Sequence, residues 1–368
     1  MRVSVVLAGM LCLAACGFQP GPVASSSRLT GPSSAPAPTP SLKPVAAGSA
    51  FGVFVEPDGA SYSLVLVDVH GQVQAKITAA KPEVYSFTEG APPAVPLIDL
   101  SVDRVYYADG DKIKYLAPDG TTRTVMDYPG NPQTAAGFAV SPDHRRIAVA
   151  TLSFASASSQ HPALDLFVED VGGGNRVDIF TSTTVTEWPV AWNNGHLVIA
   201  VGPPLATIGT TNPYGSSEGY HVVDPATGKR LVTMSNDCLY GPLVISGTAC
   251  YSGGTVGAQA YSGSRRSFSA ADQQTYMALS PDGYTVVGQV AGASIVAFGF
   301  LAGESQQPLN HQGNPMGFID SNRIVFFGPN GYSRQLIDRT TGSAPQAFPI
   351  PACACNDQGV YFGGFTSS

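Results

Sequence analysis

Ser280-Pro281-Asp282-Gly283 in "ALSPDGYTVVGQV" (278–290) could do chemistry, since an acid beside a glycine is a common reactive-loop pattern. A near-copy stands in "AVSPDHRRIAV" (139–149), with weaker ones in "LAPDG" (116–120) and "VEPDG" (55–59). A turn accounts for all four residues without a ligand: proline presets φ, aspartate tolerates the next position and glycine takes the last. "GSSEG" (215–219) fits the Gly-x-Ser-x-Gly nucleophile pattern, with His221 two residues on. That motif needs a buried strand before it and a helix after it, and here a polar loop precedes it and the strand "YHVVD" follows. The six histidines (His70, His144, His161, His196, His221 and His311) show no paired spacing for a metal, and no phosphate loop or dinucleotide fingerprint is present. No catalytic residue, metal ligand or cofactor is assigned. Carboxylates gathered at an axis from distant strands would escape any such reading.

The elements that would position these residues repeat along the chain. Seven segments share one plan, a short apolar strand, a polar turn and a second apolar strand: 97–109, 137–151, 189–202, 242–253, 277–290, 317–328 and 352–364. Their starts lie roughly 35 to 53 residues apart, and most are followed by a further strand pair. Val, Ile, Tyr and Phe fill the strands, and Gly, Asn and Asp mark the turns. Four antiparallel strands per repeat predict an all-β fold, a β-propeller of seven four-stranded blades closed by both termini. Both "FGVFVEP" (51–57) and "GVYFGGF" (359–365) claim the second-strand place of the closing blade, so six or eight blades stay open. The SPDG turns resemble those of WD-repeat-like propellers of the TolB type, found in exported bacterial proteins. The Asp-x-x-Thr-Gly turns at 224–228 and 338–342 are similar to those of lipoprotein propellers with quinoprotein-type repeats. Both resemblances imply architecture rather than activity.

The first residues suit an export signal over 1–15: Arg2, an apolar run too short to span a bilayer, then small residues. Leu13-Ala14-Ala15-Cys16 resembles a bacterial lipobox, which implies lipidation of Cys16 by palmitate-like chains, cleavage before it, and anchoring in the cell envelope. Residues 17–50 hold seven prolines, seven serines and no acid, so 16–50 reads as a disordered tether. The body, 51–368, carries all 26 acidic residues, whereas Arg2, Arg28 and Lys43 precede it. It is therefore more acidic than the chain's net charge of −7, and nucleic acid is a poor partner. A monomer is expected.

Outside the cytoplasm the remaining cysteines suit disulfides. Cys238 and Cys250 flank one hairpin and are the favoured pair; Cys353 and Cys355 are a second pair, a free pair or a metal-binding Cys-x-Cys. Loop length gives the functional expectation. The long connections 79–95, 127–136, 152–163 and 202–219 fall on one propeller face, where binding usually resides. The expected recognition surface comprises Tyr85, Phe87, Glu89, Phe154, His161, Trp188, Tyr214 and Glu218. The resulting reading is a membrane-anchored, non-catalytic propeller binding an envelope or extracellular protein or glycan. The alternative is a propeller hydrolase or lyase acting on an extracellular glycan or lactone.

Overall fold

The computed structural model describes residues 49–83, 95–153, 161–202, 217–234, 236–238, 240–244, 246–269, 274–290, 294–299, 306–328, 333–341, 346–348 and 361–366. Every regular element among them is a strand. The strands form seven four-stranded antiparallel sheets. In chain order, the first sheet contains β1 (Ala50–Asp58), β2 (Ser61–Asp68) and β3 (Val73–Ala80). The second runs from β4 (Ile98–Leu100) through β5 (Val105–Asp109) and β6 (Lys112–Leu116) to β7 (Thr122–Asp127). The third begins with β8 (Thr134–Val140) and β9 (Arg146–Ser153), and includes β10 (Ala163–Asp170) and β11 (Val177–Ser182). The fourth begins with β12 (Thr186–Asn193) and β13 (His196–Gly202), and ends with β14 (Gly219–Val223) and β15 (Arg230–Thr233). Residues 240–269, 274–312 and 314–347 supply the fifth, sixth and seventh.

Second strands such as β5 and β9 read as continuous apolar runs because both faces of each sheet are covered. On β5, Val105 and Tyr107 pack toward the first sheet, while Tyr106 and Ala108 pack toward the third. The same arrangement recurs around the molecule. Apolar clusters join sheets one and two, two and three, three to five, five and six, six and seven, and seven back to one. A closed ring of radially stacked antiparallel sheets is a β-propeller.

The closure corrects one detail of the expected plan. The final strand (Tyr361–Thr366) is not the second strand of a hairpin of its own; it pairs with β1 and takes the first-strand place of the first sheet. "FGVFVEP" is therefore the second strand and "GVYFGGF" contains the first. Two glycines explain the placement. A Cβ on Gly364 would run into the Phe318 carbonyl, and one on Gly363 into the Leu100 side chain. Only a bare backbone fits between the neighbouring sheets. Near this closure the buried Arg334 guanidinium donates to buried Glu56 and lies over the Phe54 ring, tying the seventh sheet to the first.

The repeated turns also resolve. In 280–285, Ser280 Oγ donates to Asp282 Oδ1 (2.5 Å), Asp282 accepts from Tyr284 N (3.0 Å), and Thr285 N donates to Ser280 Oγ (2.9 Å). In 141–146 the network is the same: Ser141 Oγ to Asp143 Oδ1 (2.6 Å), Arg145 N to Asp143 (3.2 Å) and Arg146 N to Ser141 Oγ (2.9 Å). These bonds hold the Asp143 carboxyl below its usual range, the Ser141 hydroxyl contributing most. Asp282 and Asp143 are thus turn formers. Gly283 has φ +75°, and His144 takes the same place at φ +60°.

Candidate binding edge and the buried groups beneath it

Because neighbouring strands are antiparallel, each sheet has two edges. Connections from strand one to two and three to four share one edge; those from two to three and from four to the next sheet share the other. On the first edge no interval between described strands is longer than residues 339–345. The longest intervals between described strands, 81–97, 154–162, 203–218 and 348–360, all belong to the second edge. Two expectations change here. The 127–136 connection narrows to 128–133, because β7 and β8 extend into it. There Tyr128, buried, donates to the Ala136 carbonyl (2.6 Å) and accepts from Ala136 N (3.1 Å), which packs the connection down. The 348–360 interval joins the set because the final described strand begins at Tyr361.

Tyr85, Phe87, Glu89, Phe154 and Tyr214 lie outside the described residues, as do Cys16, Cys353 and Cys355. Glu218 is exposed at the foot of the 203–218 connection, anchored by its amide to the Val201 carbonyl (2.6 Å). His161 stands at the end of the 154–162 connection, and its Nδ1 is 3.1 Å from Thr186 Oγ1 on β12. That contact ties the third sheet to the fourth at the long-connection edge.

Trp188 is not a surface residue. Its side chain is fully buried, at 0 % exposure, with Cβ set against Gly137 and the ring against Gly202. A methyl group at Gly202 would occupy the ring's place, so these glycines make room for the indole. The aromatic belongs to the core under the edge.

Glu187, Arg230 and Tyr220, which the sequence does not single out, stand in the same sheet with His221 and next to Ser217 of the "GSSEG" pattern. Glu187, 3 % exposed at the side chain, accepts from Arg230 (2.6 Å), and its Oε1 is 3.8 Å from His221 Nε2. Burial raises the Glu187 carboxyl above its usual range, with Arg230 opposing; burial lowers His221, and Arg230 adds to that. Ser217 Oγ donates to the buried Tyr220 hydroxyl (2.9 Å), whose pKa burial pushes up to about 12. A charged residue inside the apolar run "VTEWPVAW" was the available signal for Glu187.

Nearer the short-turn edge, buried Asp99 on β4 accepts the Val140 amide of the third sheet (2.8 Å). Ser141 N bonds Arg146 O across to β9, so the preceding amide points away from β9, toward the ring's inner side. Burial raises the Asp99 carboxyl to about 7, against the lowering effect of the Val140 bond. Asp99 and Glu187 are the carboxylates of the described first strands. Among the described residues no group of three His, Cys, Asp or Glu side chains is placed to hold a metal ion.

Cys238 and Cys250 form a disulfide with a Cα–Cα distance of 3.8 Å. Both are fully buried. The bridge clips the 234–239 connection to the second strand of the fifth sheet, where Tyr251 N also donates to Asp237 O (2.8 Å).

The sheet order defines the class as a β-propeller. No family model matches the sequence, and neither does any curated protein. Among solved structures, the chain is similar to AztD from Citrobacter koseri (11 % identity, TM-score 0.46, covering 88 % of this chain and 100 % of that one). It is also similar to an oligogalacturonate lyase from Vibrio parahaemolyticus (10 % identity, TM-score 0.46, 83 % and 91 % covered). The Dos1 propeller matches at 12 % identity and TM-score 0.42, with 85 % and 90 % covered. At such identities no activity or ligand carries over.

Proposed function

We propose that the chain is a lipid-anchored, extracytoplasmic binding module. In this reading each of the seven sheets is one blade of a seven-bladed ring. Cys16 carries the anchor, and 16–50 holds the ring away from the membrane surface. The long-connection edge takes an envelope or extracellular protein or glycan as its partner. The single supporting observation is the asymmetry of the connections. The four longest lie on one edge and cluster over the seventh-to-first, first-to-second, third and fourth blades. Long connections on a rigid scaffold can vary in sequence without disturbing the ring, which is why binding residues concentrate there. Tyr85, Phe87 and Tyr214 are suitable anchors, since aromatic side chains bury much area at low entropy cost. Glu89, Phe154, His161 and Glu218 complete the surface. Metabolic labelling with a palmitate analogue tests the anchor: the native chain should take up label and Cys16→Ala should not. Equal labelling of both would remove it.

A further inference from the structure

We propose that the seam between the second and third sheets is an acid-sensitive clasp, held at the short-turn edge by Tyr106, His144 and Asp103 and released when His144 takes up a proton. His144 Nε2 is 3.0 Å from Asp103 Oδ1, and His144 Nδ1 is 3.0 Å from the Tyr106 hydroxyl. Arg104 makes a bidentate pair with Asp103 (2.7 Å each), which holds that carboxyl below its usual range. A carboxylate only accepts, so the imidazole proton sits on Nε2 and bare Nδ1 accepts from Tyr106. Tyr106 is 2 % exposed, and burial raises its hydroxyl pKa to about 12, so it stays a donor. A second proton on Nδ1 takes away the acceptor of this buried hydroxyl.

The charged and titratable groups around the imidazole come from both sheets. Asp103 and Arg104 lie in the turn after β4, Tyr106 on β5, and Tyr115 on β6 beneath the Arg104 guanidinium (4.6 Å to the ring). Asp143 and Arg145 flank the histidine in its own turn, and Asp99 lies on β4. Burial and Arg104 lower the His144 pKa; Asp103 and Asp143 oppose them. The folded ring therefore disfavours the second proton relative to the unfolded chain, and stability at this seam is lost as pH falls through the unfolded histidine range near about 6.5.

The turn itself argues that the histidine is there for its side chain. Its twin uses Gly283 at φ +75°, whereas His144 holds φ +60°, a region costly to a residue with a Cβ. A glycine would satisfy the backbone, and only the imidazole reaches Tyr106 and Asp103.

Hydrogen–deuterium exchange on the full chain, corrected for intrinsic rates and run at neutral and mildly acidic pH, tests the clasp. Segments 101–107 and 141–147 should lose protection on acidification, while the twin turn, 280–286, should not. In His144→Gly, which copies the twin, the loss of protection on acidification should disappear from both segments. A flat wild-type response, or a His144→Gly chain that keeps the wild-type response, overturns the proposal. If His144→Gly fails to fold, Tyr106→Phe serves in its place: a diminished pH response supports the clasp, and an unchanged one overturns it.

Discussion

Replacing Asp99 by asparagine should make stability less dependent on pH, to the variant's advantage above neutrality. The wild-type carboxyl accepts the Val140 amide at 2.8 Å while fully buried, and burial raises its pKa to about 7 from the ordinary 3.8. Between those values the folded state binds more protons at Asp99 than the unfolded state, so the Asp99 contribution to wild-type stability falls as pH rises from about 4 to about 7 and is flat above. At about 1.36 kcal/mol per pKa unit the fall is roughly 4 kcal/mol at most. Asparagine keeps an acceptor for Val140 and cannot ionise, but it adds an amide group that costs about 1–3 kcal/mol if unpartnered. The variant should thus be the weaker chain in mild acid and the stronger one above neutrality. At about 2 °C per kcal/mol for a domain of this size, the difference in Tm should swing by up to roughly 8 °C. Scanning calorimetry of both chains across this pH range reads it directly. His144 titrates in both chains and cancels from the difference. Parallel Tm curves would refute the reasoning, because they would mean that Asp99 titrates alike in the folded and unfolded states.

Three further outcomes follow from particular contacts. Replacing Cys238 and Cys250 together by serine should lower stability by about 3 kcal/mol, measured by denaturant unfolding, because the bridge spans a sequence separation of 12. Trp188→Ala should cost about 3–5 kcal/mol and destabilise the whole ring, seen as a lowered Tm, since the indole fills the space between Gly137 and Gly202. Arg334→Met should cost about 3–5 kcal/mol by leaving Glu56 buried without its partner, and Arg334→Met with Glu56→Leu should recover much of that in the same unfolding assay.

How much was legible in the sequence differs from element to element. The hairpins were readable because apolar runs and turn residues are local signals, and Ser280–Gly283 with its copy at 141–144 marked the same edge of two sheets. The closing strand was not, since Gly363 and Gly364 carry no side chain whose pattern could be read; what places them is contact with Leu100 and Phe318, remote in sequence. Trp188 was misplaced for a related reason. An aromatic near a long connection looks exposed until the glycines that admit it, Gly137 and Gly202, are brought beside it. The bridge at Cys238 and Cys250 was readable because both cysteines flank one hairpin. The Asp99–Val140 and Tyr106–His144 contacts join residues 41 and 38 apart, on different sheets, and no spacing rule reaches them.

The central claim is that one edge of the ring binds and the other does not. Capture from envelope extracts by the detergent-solubilised full chain, comparing wild type with the Phe87→Ala plus Tyr214→Ala double variant and with Asp282→Ala, tests it most directly. The double variant should lose the captured partner at unchanged Tm. Asp282→Ala, which removes the acceptor for Ser280 and Tyr284 on the opposite edge, should lower Tm and keep the partner. Capture unaffected by the double variant, or abolished in folded Asp282→Ala, would contradict it.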